Sequence, residues 1–99
     1  MGKITIRYTN KFADDLADLI YFIESKGLIE TAHRYVTKVY AFIESMKFDK
    51  VNYAYCKDSV RANAGLKCLR YNNKYTIVFY QFSDEVIITE FIPSKMLNA

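Results

Sequence analysis

The sequence is poor in the residues that punctuate or staple a chain. One proline and three glycines in 99 residues leave little material for linkers, and no repeats or low-complexity segments are visible. The glycines stand apart at Gly2, Gly27 and Gly65, so no glycine-rich phosphate loop exists. Tryptophan is absent and histidine occurs once, as His33, which excludes a Cys/His zinc spacing and leaves little support for a Cys–His nucleophile pair. The two cysteines, Cys56 and Cys68, are too few for a disulfide framework. Cys68, among apolar residues, is expected to act as a small core hydrophobe and Cys56 as a loop thiol, both suited to a reducing compartment. No apolar run approaches the roughly 18 residues of a membrane span. The chain opens directly on a strand-like pattern, so a cytoplasmic location without membrane contact is expected.

What is present argues for one folded domain over residues 1–99. Apolar residues make up 52% of the chain and charged residues 25%, enough apolar surface to offset the entropy of ordering. Nine Tyr and seven Phe supply the aromatic content, most of it expected in packing. The net charge of +3 is well below that of a dedicated nucleic-acid binder.

Periodicity divides the chain. In KITIRY (3–8), Ile4, Ile6 and Tyr8 alternate with Lys3, Thr5 and Arg7, the mark of a half-buried strand. Thr9 and Asn10 offer N-cap chemistry for a helix whose apolar stripe is Phe12, Leu16, Leu19, Ile20 and Ile23, ending at Gly27. The carboxylates Asp14, Asp15 and Asp18 near its start are expected to be a solvated face favourable to the helix dipole, not a metal site. A second stripe, Ile29, Ala32, Val36, Val39, Ile43 and Met46, follows after a short connection, which predicts an antiparallel helical hairpin. Residues 48–65 are irregular, with one or two helical turns expected between Asp58 and Gly65. Three strands then form an antiparallel meander over 66–71, 74–82 and 85–92, with Asn72-Asn73 expected as a positive-φ hairpin turn and Pro93 as the terminator. The middle strand is apolar on both faces and is expected at the centre of the sheet. The fold class is therefore α+β, in the order β-α-α-β-β-β.

Chemistry-bearing residues concentrate in the sheet half: Lys67, Arg70, Tyr71, Lys74, Tyr75, Tyr80 and Lys95. Metal-free cleavage of RNA needs a base for the 2′-hydroxyl, a cation for the phosphate and a proton for the leaving oxygen, and Lys, Arg and Tyr can supply all three. The competing reading is that the tyrosines pack and the lysines solvate a sheet edge.

The element order, together with FADDLADLIYFIE, KYTIVFYQFSDEVIITEFIPSK and an Ala32-containing second helix, resembles the RelE/ParE toxins of type II toxin–antitoxin systems. The resemblance implies a small growth-inhibiting toxin of a plasmid-stabilisation module, neutralised by a cognate antitoxin, with no cofactor or metal and with room for a homodimer. RelE-like members cut mRNA on the ribosome; ParE-like members inhibit DNA gyrase. Carried over by position, Lys95 matches the basic residue after the last strand, and Lys67 and Arg70 match cations of the RelE-like site. Tyr71 or Tyr75 then stands as proton donor or stacking group. Thr76 or Ile77 replaces an arginine often found on the central strand, and the tail Met96-Leu97-Asn98-Ala99 carries no tyrosine. These departures favour a ParE-like or divergent toxin over an endoribonuclease, with a degenerate, non-toxic binding module as the third alternative. Antitoxin contact is expected at apolar and aromatic surface, for which Tyr21, Tyr35, Tyr40, Tyr53 and Tyr55 are the candidates.

Overall fold

A computed structural model describes residues 4–97. Its elements are β1 (Thr5–Tyr8), α1 (Asn10–Ser25), α2 (Ile29–Ser45), α3 (Ser59–Asn63), β2 (Lys67–Arg70), β3 (Tyr75–Gln81), β4 (Glu85–Pro93) and a closing 3-10 turn, Ser94–Leu97. This is the expected α+β order. Lys3, assigned to the first strand from its sequence, lies outside the described residues.

The sheet runs β1-β4-β3-β2. The three C-terminal strands pair antiparallel and consecutively, with Arg70 opposite Thr76 and Thr76 opposite Ile92. β1, whose partner the sequence left open, adds in parallel beside β4, Thr5 opposite Glu85 and Tyr8 opposite Ile88, so the whole sheet is mixed. β3 is interior, as its two-faced apolar pattern requires.

One irregularity sets which side chains face the helices. Val78 opposes Glu90 but Phe79 opposes Ile88, which leaves Thr89 as an extra residue in β4. Its hydroxyl donates to the Val78 carbonyl at 3.0 Å. A bulge shifts the alternation by one, so Val86 and Ile88 before it and Phe91 after it share the helix-facing side.

The main core lies between hairpin and sheet: Phe12 and Leu16 of α1, Val39 and Ile43 of α2, Phe48, and Ile77, Phe79, Val86, Ile88 and Phe91 of the strands. Phe12 and Phe79 are fully buried, each contributing about 2–3 kcal/mol of transfer free energy. Thr9 caps α1 by accepting from the Phe12 N–H at 3.1 Å while donating to the Thr89 carbonyl at 2.9 Å, so one hydroxyl fixes both helix start and sheet edge. Gly27, at φ +78°, ends the first helix as expected. A second, smaller core of Cys56, Leu66, Val78 and Ile92 sits on the opposite face of the sheet under α3, which Asp58 caps by accepting from the Arg61 N–H at 3.0 Å.

Three sequence expectations are corrected. Cys56 and Cys68 are not separate thiols: they form a disulfide with Cα atoms 4.8 Å apart, and Cys56 is buried. Residues 54–56 fold back along the outer edge of β2, where Cys56 N–H bonds the Leu66 carbonyl and Cys68 N–H the Ala54 carbonyl, and this long-range pairing brings the sulfurs together. The Asn72-Asn73 turn does not use positive φ, which no described non-glycine residue adopts. Instead the Asn72 side chain accepts from the N–H groups of Lys74 and Tyr75, both at 2.8 Å. Asp15 is not merely solvated, since its carboxylate accepts from the Phe91 N–H at 3.1 Å; Asp14 and Asp18 are exposed.

Candidate functional site

The helices cover one face of the sheet and α3 covers only part of the other. Alternation along β2 sends Cys68 and Arg70 to this open face and Lys67 and Leu69 to the helix side. What remains uncovered is a cavity of about 200 Å3 lined by Ala54, Tyr55 and Lys57 from the segment before α3 and by Cys68, Arg70, Thr76 and Ser94. At its floor the buried hydroxyls of Thr76 and Ser94 bond each other at 2.7 Å. Arg70 and Lys57 are exposed, and among the described residues neither has a carboxylate within ion-pair distance. By contrast Arg61 of α3 is neutralised, with Nε and Nη2 on the Glu90 carboxylate at 3.1 and 2.9 Å and Nη1 on Asp58 at 3.2 Å. The hydrogen bond to Glu90 holds its guanidinium above its ordinary value.

Lys95 falls in the 3-10 turn and is exposed. It lines a neighbouring depression of about 430 Å3 with Asn73, Lys74, Tyr75 and Pro93, where the Ser94 N–H bonds the Lys74 carbonyl at 2.8 Å. Lys57, Arg70, Lys74 and Lys95 thus gather at the end of the sheet where β2 and β3 meet the β4 terminus. A cavity floored by hydroxyls and rimmed by unneutralised cations suits an anionic ligand.

The other sequence candidates lie elsewhere. Lys67 is only 5% exposed: its ammonium donates to Asn52 Oδ1 and to Gln81 Oε1 (3.1 Å) and lies 5.1 Å from the Tyr55 ring centre. Tyr71 and Tyr75 sit on the helix side. Tyr71 packs edge-on against Tyr35, Phe42 and Phe91, and Tyr75 stacks on Phe91 at 5.0 Å. Burial pushes the Tyr71 hydroxyl up and holds it in its protonated form. The candidate set is therefore divided: Arg70 on the open face, Lys95 beside Tyr75 at the sheet end, Lys67 and Tyr71 packed on the helix side.

Of the five tyrosines expected to meet an antitoxin, Tyr21 and Tyr55 are largely exposed, at 76% and 62%. Tyr35, Tyr40 and Tyr53 are half-buried. Burial pushes the Tyr35 hydroxyl up, Tyr40 packs on Tyr8 and Phe12, and the Tyr53 hydroxyl accepts from the Lys47 N–H at 3.2 Å. Sequence reasoning missed Lys57, the Thr76–Ser94 pair, and the exposure of Phe22, Leu28 and Ile29 near the turn between α1 and α2, although Ile29 begins the apolar stripe of α2. Consecutive Tyr21-Phe22, outside the buried stripe of α1, was the available signal for the last of these.

Comparison with protein-family models finds no match, and comparison with curated proteins finds none. Among solved structures the chain is similar to one from the chromosomal ParDE TA (toxin–antitoxin) system from P. aeruginosa, with a TM-score of 0.73, 14% sequence identity, and coverage of 91% of this chain and 95% of that one. At that identity the likeness is one of fold: the chain shares its α+β architecture with that structure along nearly its whole length. No helix of the described residues is long and apolar enough to cross a membrane.

Proposed function

We propose that this chain is the toxin of a type II toxin–antitoxin pair, ParE-like in character, acting in the cytoplasm once its cognate antitoxin is lost. The observation that carries the reading is the fold shared along nearly the full length of both chains with a member of a ParDE system. The exposed apolar side chains Tyr21, Phe22, Leu28 and Ile29 around the turn of the hairpin support a protein partner, since large apolar side chains left in water on a small chain favour burial against another surface. The ParE-like reading is supported by the commitment of Lys67, Tyr71 and Tyr75 to packing, because acid–base cleavage needs its groups convergent on one reacting atom.

A second reading, ribosome-dependent mRNA cleavage, is favoured by the unneutralised Lys57, Arg70, Lys74 and Lys95 at one end of the sheet. Induction without antitoxin decides among these two and a non-toxic binding module. Growth arrest with intact transcripts and loss of gyrase supercoiling activity supports the ParE-like reading. New 5′ ends by primer extension support the nuclease, and unimpaired growth removes both.

A further inference from the structure

Two features that the ParE-like reading leaves unused lie on the open face: the Cys56–Cys68 disulfide, and the cations Lys57 and Arg70 that share a cavity with Cys68. The two sulfurs are not equivalent. Cys56 is 4% exposed in the second core, whereas Cys68 is partly exposed and lines the cavity. A thiolate opens a disulfide by attack on one sulfur, so the sulfur a solute can reach becomes the mixed disulfide and the other leaves. Arg70 lies two residues beyond Cys68 on the same face of β2, and both Arg70 and Lys57 line the cavity that Cys68 lines, so the reachable sulfur shares its cavity with two cations. Nearby cations favour an anionic attacker at that sulfur.

We propose that Cys56–Cys68 is a thiol-exchange site, entered at Cys68 through the basic cavity by an anionic low-molecular-weight thiol of the glutathione class. The attacking thiolate sulfur bonds Cys68 Sγ, the Sγ–Sγ bond breaks, and its electron pair leaves on Cys56, which takes a proton from water. A second thiol of the same class attacks the first one's sulfur and releases Cys68. Two small thiols are thereby oxidised to their disulfide and the protein disulfide is reduced to two thiols.

The consequence is local. With the bond open, residues 54–57 keep two backbone hydrogen bonds to the β2 edge, at 3.1 and 3.3 Å. α3 buries none of its residues and is tied to the sheet through the Arg61–Glu90 pair. Reduction therefore loosens the wall of the cavity that carries Lys57. Disulfides exposed to small thiols in reducing compartments are typically transient and redox-sensing, the behaviour that this exchange would give. The inference stands apart from the toxin reading.

The test treats the whole chain, purified without reductant, with glutathione, followed by acid quench, alkylation and peptide mass mapping. The expected result is a glutathione adduct on Cys68 with Cys56 as the free thiol. At low ionic strength Arg70→Gln is expected to slow this reaction about 3–10-fold, with the rate towards neutral 2-mercaptoethanol nearly unchanged and the difference erased by salt. An adduct on Cys56, equal slowing with both thiols, or two free thiols in the unreduced chain would overturn the proposal.

Discussion

The carboxylate of Asp15, in the second turn of α1, accepts a hydrogen bond from the backbone N–H of Phe91 in β4, 76 residues away, at 3.1 Å. β1 ends at Tyr8, opposite Ile88, so β4 beyond that point has no strand on its outer side. Thr9 satisfies the Thr89 carbonyl and Asp15 the Phe91 N–H, and α1 thereby serves as the missing edge strand. Lys11, 2.5 Å from Asp15, holds the carboxylate in place. Asp15→Ala leaves a largely buried N–H unpaired and is expected to cost about 1–3 kcal/mol, while Asp15→Asn, which keeps an acceptor, is expected to cost less. Urea unfolding should show a lower midpoint at unchanged slope.

Gln81 is a second point where one side chain closes a structure. Its Oε1 accepts from the Tyr53 N–H (3.0 Å) and from Lys67 Nζ (3.1 Å), and its Nε2 donates to the carbonyls of Phe48 (3.1 Å) and Val51 (2.6 Å). All four possible bonds of the amide are used to pin the 48–53 loop against the end of β3. Gln81→Leu removes them together and leaves the Lys67 ammonium with one side-chain acceptor, Asn52. We expect a loss of about 3–7 kcal/mol, given roughly 0.5–1.5 for each of the three neutral hydrogen bonds and 1.5–3 for the one to the charged group. Early proteolytic cleavage at Lys47 or Lys50 is the second readout.

Gln81 also shows where reading the sequence stops. Local patterns sufficed for what local physics decides: the alternation of Ile4, Ile6 and Tyr8, the stripe from Phe12 to Ile23, the Thr9 cap, the stop at Gly27 and the interior position of β3. The fates of Lys67, Cys56 and Cys68 are decided by partners 12 to 15 residues away, which no periodicity encodes. Lys67 reads as an exposed edge cation until Asn52 and Gln81 are brought to it. The bulge at Thr89 is likewise silent in the sequence, although it turns Phe91 into the core and places its ring against Tyr75 and Tyr71. Of the candidate site, the cationic character of Arg70 and Lys95 was legible, and so was the alternation that parts Arg70 from Lys67 and Tyr71; the packing around Lys67 and Tyr71 was not.

The aromatic cluster at the start of α1 gives the fold a defined alkaline limit. Burial pushes the Tyr8 hydroxyl up to about 12, with the Glu44 carboxylate and Tyr40 adding to the effect. The folded pKa is raised, so the stabilisation is complete below the unfolded value of about 10. It is lost as pH rises from there towards 12, where the unfolded chain ionises and the folded one does not. Tyr8→Phe is expected to flatten the decline in unfolding midpoint between about pH 9.5 and pH 11.5 relative to the parent chain. An equal decline in both would show that Tyr8 ionises alike in the two states.

The proposed toxin requires a separate protein partner. The most direct measurement is co-expression with the product of the adjacent short reading frame, followed by co-purification and light scattering. A stoichiometric complex that raises the soluble yield, and that weakens on Tyr21→Ala or Phe22→Ala, is the predicted result. A chain that stays alone or pairs only with itself in the presence of that product would contradict it.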